Sequence, residues 1–213
     1  MRKETLAIGE TYHIFSKSIA EFVIFNNKKE YLRMKQSIKY YQREKPDIKF
    51  SKFTKNECAM KDFPSDKEKL ASIIAYCLMP THFHLVLKQL KQDGISIFMA
   101  KLLNSYSRYF NIRHNRKGPL WETEFKNVLV KTDEQLLHLT RYIHLNPVTT
   151  YLVDKAEDWS FSSYQEYLSK SCDDEKISEY DQILNITPDL YKKFVEDNVS
   201  YQRELAKLKL LYC

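Results

Sequence analysis

The chain has 213 residues, 43% hydrophobic and 29% charged, a balance that suits one soluble globular domain, or one domain with an extension, and does not suit a disordered chain. Fifteen tyrosines, twelve phenylalanines and a net charge of +6 fit a surface that attracts phosphates and stacks on bases, although a mildly basic protein with a tyrosine-rich core has the same composition. No apolar run approaches a membrane span or reads as a signal segment, and Cys58, Cys77, Cys172 and Cys213 show no paired spacing, so neither a membrane partner, a zinc site nor a disulfide framework is expected, and the location expected is cytoplasmic.

Residues 11–15 read as a first strand. Asn26 or Asn27 then caps a helix with an apolar stripe of Tyr31, Leu32, Met34, Ile38 and Tyr41, ended by Pro46. Residues 47–69 are charged and irregular, a loop or arm. The continuous apolar run 70–78 predicts a buried strand, paired across the Met79-Pro80-Thr81 turn with a strand over 82–90. Asp93-Gly94 breaks the chain before a helix over 95–114 with a basic end, and a fourth strand follows over 125–130. Thr132 or Asp133 caps a helix that runs to Asn146 and is stopped by Pro147. The order β-α-β-β-α-β-α predicts an α+β, ferredoxin-like split β-α-β fold with an antiparallel sheet and one added helix. The same order fits an RNA-recognition module, so architecture alone does not fix function. Beyond an acidic patch at Asp173-Asp174-Glu175, helical segments over 178–184 and 189–211 predict a C-terminal helical extension, dividing the chain into residues 1–168 and 169–213.

The chemistry-bearing residues fall at two places. His82 and His84 alternate with Phe83 and Leu85 along a strand, so both imidazoles share one face and form half of a metal site. Tyr142 and Asn146 are four apart on a predicted helix and also share a face. A phenol with a free pKa near 10 needs help to attack a phosphodiester, and a divalent ion beside the phosphate supplies it. Two imidazoles and the amide oxygen of Asn146 would hold such an ion, Mg²⁺ or Mn²⁺, with Mn²⁺ the more comfortable on imidazoles. Each residue alone has a plainer account: polar residues at a strand end, a packed helix tyrosine, and an asparagine before proline.

Taken together, these segments resemble a known family. The string Tyr76-Cys77-Leu78-Met79-Pro80-Thr81-His82-Phe83-His84 is similar to the His-hydrophobic-His segment of the IS200-like single-tyrosine transposases, and most of all to their REP-associated branch. Ser105-Tyr106-Ser107-Arg108-Tyr109-Phe110-Asn111, Leu120-Trp121-Glu122-Thr123-Glu124-Phe125-Lys126 and Arg141-Tyr142-Ile143-His144-Leu145-Asn146-Pro147-Val148 agree in order, as does Trp159-Ser160-Phe161-Ser162-Ser163-Tyr164. The likeness covers about residues 5–168.

The resemblance implies cleavage and rejoining of single-stranded DNA beside hairpins. Tyr142 would form a 5′-phosphotyrosine and release a 3′-hydroxyl, which needs no high-energy cofactor. His82, His84 and Asn146 fall where the family binds its metal. Related insertion-sequence enzymes are dimers, so a homodimer is a further expectation. For DNA contact the resemblance and charge together point to Arg108, Arg113, Arg116, Lys117, Lys126, Lys131 and Arg141, with Trp121 as a base stacker; a solvated surface charge, or for Trp121 a core position, is the plainer account. Three positions depart from the pattern: Thr81 replaces an asparagine, Glu124 a basic residue, and Thr149-Thr150-Tyr151 an Arg-Ala-Gly run. Glu124 favours, mildly, a domesticated hairpin-binding protein with little or no catalysis, and a two-histidine phosphoesterase using metal-bound water is a third reading.

Overall fold

Alternation along His82–Gln89 sends Phe83, Leu85 and Leu87 to one side and His82, His84 and Val86 to the other. The computed structural model describes residues 5–44, 49–54, 68–170, 176–180 and 184–211, and in it that segment is an inner strand of a four-stranded sheet. Strands β1 (Thr11–Lys17), β2 (Ala71–Met79), β3 (His82–Gln89) and β4 (Lys126–Val130) lie in the order β2-β3-β1-β4, with each neighbouring pair antiparallel. This is the expected ferredoxin-like arrangement.

The two faces bury different partners. Helices α1 (Lys28–Tyr41) and α2 (Gly94–Arg113) cover the face that presents Tyr12, Ile14, Phe83, Leu85 and Leu87. Helix α3 (Asp133–Thr149) covers the other, packing Ile143 and Val148 with Val86, Val130 and Ile74. Local signals set the helix starts. Asn27 accepts from the Glu30 N–H while Glu30 accepts from the Asn26 N–H, and Thr132 and Gln135 do the same at the start of α3. At the start of α2, a Cβ on Gly94 would stand 2.1 Å from the Leu70 carbonyl oxygen, so only glycine fits there.

Strand β2 is an edge strand buried along its whole length. Its outer edge is covered by later chain: Leu78 N–H donates to the Phe161 carbonyl (2.9 Å), Ser163 N–H to Tyr76 (2.9 Å) and Glu179 N–H to Ile73 (2.7 Å). The turn into β3 needs only Pro80 and Thr81, because Met79 already pairs with His82, and Ser18 N–H donating to the Thr81 carbonyl holds it in place.

Four expectations change. Pro147 does not stop α3, which continues to Thr149; Thr150 N–H still reaches the Asn146 carbonyl (3.1 Å), and the Thr149 and Thr150 hydroxyls donate to that same oxygen. Near a helix end the missing proline N–H costs one bond rather than the helix. Of the helix expected over 178–184, residues 181–183 lie outside the described residues, and residues 178–180 are not helical, because N–H groups there are taken elsewhere: Ile177 and Ser178 donate to the Glu166 carboxylate and Glu179 to β2. The last helix is two, α4 (Pro188–Glu196) and α5 (Val199–Leu211). Within the supposed loop, Phe50–Phe53 forms a helical turn whose Phe53 is fully buried beside Tyr40. Pro46, the acidic patch at 173–175 and Cys58, Cys172 and Cys213 lie outside the described residues, while Cys77 is a buried free thiol in β2. Among the described residues no helix is long and apolar enough to cross a membrane.

Candidate active site

His82 and His84 sit on the α3 side of β3 with rings 5.1 Å apart and perpendicular. His84 is 7% exposed and His82 half-buried. Each ring has its Nδ1 occupied by the protein: Thr81 Oγ1 lies 3.1 Å from that of His82, and His13 Nε2 lies 2.9 Å from that of His84. Burial pushes His82 down to about 4, with the Lys17 charge adding to it. Burial first, then the neighbouring His13, His82 and Lys17, holds His84 well below the ordinary imidazole range. Both rings are therefore neutral at pH 7 and each keeps one lone pair, the form in which histidine binds a cation.

Tyr142 reaches the histidines from α3, and Asn146 lies one turn along from it. Four residues along a helix return to nearly the same direction, and the Tyr142 ring stands edge-on to His84 with centroids 6.1 Å apart. Burial raises the phenol's pKa, and the Asn146 amide opposes that rise. Asn146 is itself 7% exposed, and its Nδ2 makes no hydrogen bond. That end is a donor, so an acceptor such as a phosphate oxygen would satisfy it, whereas a cation would take the amide oxygen Oδ1. Two neutral imidazoles and an amide oxygen are donor types that suit Mn²⁺ or Mg²⁺, although among the described residues no group of three or more His, Cys, Asp and Glu side chains could hold a metal.

The remaining predicted residues are spread more widely. Lys126 pairs in register with Phe15, which pairs with His84, so it lies on the histidine face, exposed, with its ammonium 6.0 Å from the Phe15 ring. Arg108 and Arg113 instead line a cleft of about 840 Å³ on the α1–α2 layer, with Arg33, Lys101, Tyr41 and Tyr109. Arg116 bonds Asn111 Oδ1 (3.2 Å), and Lys117 and Lys131 are exposed. Trp121 packs edge-on to Phe83 (5.5 Å) and donates from Nε1 to the Leu103 carbonyl, leaving part of its ring accessible. Arg141 is 8% exposed, with its guanidinium 4.6 Å over the Phe194 ring of α4.

Two residues at the site escaped the sequence reading. His13 and Lys17 lie on β1, on the same face as His84, and Lys17 pairs directly with His82. The predicted fold places β1 beside β3, so a histidine inside β1 was a usable signal, but the register that brings it to His84 was not legible.

Residues 12–146 match the family described as Transposase IS200 like. A Haemophilus influenzae protein that carries the name REP-associated tyrosine transposase is 28% identical over 101 residues, which span 43% of this chain and 57% of that protein. The chain thus spans little more than half the length of that curated relative. A solved structure of a REP-associated tyrosine transposase bound to a REP hairpin has the same fold, with a TM-score of 0.55 at 15% identity over 84% of this chain and 92% of the other. With the family match running from β1 through the helix that carries Tyr142 and Asn146, the chain belongs to the IS200-like transposase family.

Proposed function

We propose that this protein nicks and joins single-stranded DNA beside hairpins through a covalent bond from Tyr142 to a 5′ phosphate. The placement of Tyr142 edge-on to His84, 6.1 Å away in its own chain, carries the proposal. His82 and His84 offer lone pairs and Asn146 an amide oxygen to a divalent ion, Mg²⁺ or Mn²⁺. When bound, that ion withdraws charge from the scissile phosphate. The Tyr142 oxygen forms a bond to phosphorus as the bond to the 3′ oxygen breaks, and the phenolic proton ends on the released 3′-hydroxyl. Attack by the 3′-hydroxyl of a second strand reverses the exchange and frees the tyrosine.

Because Tyr142 serves the histidines of its own chain, a homodimer is not required. Residues 1–168 carry the chemistry, and within 169–213 helices α4 and α5 buttress the tyrosine helix. The DNA partner is a hairpin with a single-stranded flank, met in the cytoplasm. Lys126 contacts phosphate near the histidines, Arg108 and Arg113 do so in their cleft, and Arg116, Lys117, Lys131 and Trp121 add surface contacts. Arg141 enters as a residue beneath α4 rather than as a surface contact.

Incubating the protein with labelled hairpin oligonucleotides and Mn²⁺, then running denaturing gels, tests the proposal. A protein–DNA adduct is expected that disappears in Tyr142→Phe and on chelation. Binding without an adduct would leave a hairpin-binding protein, and cutting that persists in Tyr142→Phe would leave a phosphoesterase that uses water.

A further inference from the structure

We propose that His13 is a positioning residue: it accepts a hydrogen bond from Nδ1–H of His84 and so keeps Nε2 of His84 bare for a cation. The contact is 2.9 Å, and the two rings lie 5.1 Å apart with planes 24° from parallel. Strand register makes it. Phe15 pairs with His84 and His13 with Val86, so His13 is the diagonal neighbour of His84 on one face of the sheet. The inference rests on the reading of His82, His84 and Asn146 as a cation site.

A neutral imidazole has one N–H and one lone pair, so this contact has only two arrangements. If His84 donates, its Nε2 is unprotonated and binds a cation. If His13 donates, Nε2 of His84 carries the hydrogen and binds none. His13 therefore does more than fill space, because the proton position across a single hydrogen bond decides whether His84 is a ligand at all. His82 shows the same construction in simpler form. The Thr81 hydroxyl oxygen stands 3.1 Å from its Nδ1, an acceptor that would leave Nε2 bare in the same way. Partners behind metal-binding histidines commonly act this way, and their loss weakens binding by about 10- to 100-fold.

The test begins without metal. In protein labelled with ¹⁵N-histidine, long-range proton–nitrogen spectra report which ring nitrogen of His84 carries hydrogen. Wild type is expected to show Nδ1–H. His13→Gln keeps an acceptor and retains that form, whereas His13→Phe keeps the ring but not the acceptor and gives mixed tautomers. Titration with Mn²⁺, followed by electron paramagnetic resonance, is expected to show affinity about 10- to 100-fold weaker in His13→Phe and largely restored in His13→Gln. A wild-type His84 protonated on Nε2 overturns the inference, even should the variants fail to fold. So does a His13→Phe protein with unchanged tautomer and affinity. If wild type binds no Mn²⁺ but the tautomer still follows residue 13, the cation site is wrong and the role of His13 stands.

Discussion

His144 Nδ1 lies 2.7 Å from the Tyr191 hydroxyl, a contact that ties the helix carrying Tyr142 to the C-terminal helix α4. Two residues on a helix point nearly opposite ways, so Tyr142 faces the histidines while His144 faces the tail. His144 is fully buried, and its Nε2 is satisfied by Ser163 Oγ at 2.8 Å. Around it Tyr167 and Tyr191 pack closely, and Arg203 donates to the Val148 carbonyl from α5.

Tyr191→Phe strips one partner from a buried imidazole and is expected to cost about 1–3 kcal/mol. Tyr191→Ala, which also opens a cavity, is expected to cost about 3–5 kcal/mol. Urea unfolding of the two variants measures both, and an unchanged Tyr191→Phe protein beside a destabilised Tyr191→Ala protein would mean that packing alone, not the hydrogen bond, holds α4 to α3.

Stability should fall with pH from neutrality to pH 5. Burial takes His144 down to about 3 and His84 well below the usual 6.5, so both stay uncharged in the folded protein. The unfolded chain takes up protons on these rings below about 6.5, and the folded protein does not. Each buried ring then removes up to about 1.4 kcal/mol per pH unit between 6.5 and its folded value, and the loss reverses on returning to pH 7.5. Urea midpoints at pH 5 and 7.5 check this, and a His144→Gln protein should show a smaller difference.

Glu30 acts in a lower window. Burial alone would raise its pKa, but hydrogen bonds from the Asn26 N–H, His114 and the Asn26 side chain, with the His114 charge, bring it below 4.5. Its contribution is therefore present above about 4.5 and lost as pH falls through the lowered value. Glu30→Gln should destabilise at pH 7, by about 1–3 kcal/mol, and the gap from wild type should close toward pH 3. A gap independent of pH would mean that the shape of the side chain matters and its charge does not.

Arg108 and Arg141 should separate when replaced. Arg108→Ala is expected to weaken hairpin binding and to make the slope of log K against log salt shallower by about 0.9 for each duplex phosphate that is no longer neutralised. Arg141→Ala is expected to leave that slope unchanged and to lower thermal stability, since its guanidinium packs on Phe194. Fluorescence anisotropy over a salt series and thermal melts read the two effects.

Several features were legible in the sequence because they depend on neighbours along the chain. The two-residue alternation from His82 to Leu87 placed both imidazoles on one face, and the four-residue spacing placed Tyr142 with Asn146. The helix starts were marked by Asn26 or Asn27 and by Thr132 or Asp133, and Asn27 and Thr132 are the caps, through side chains that reach only three residues ahead. The order of strands and helices then pointed to a ferredoxin-like antiparallel sheet, which is the architecture observed.

What tertiary structure alone decided was which distant residues meet. Strand register brought His13 to His84, an outcome that a slip of one residue would have reversed. Docking of the tail turned Arg141 and His144 inward and drew Ser178 and Glu179, at the start of the expected helix, to Glu166 and β2. Periodicity fixes the face of an element on which a side chain stands, whereas its partner depends on how remote elements pack, and no short stretch of sequence encodes that.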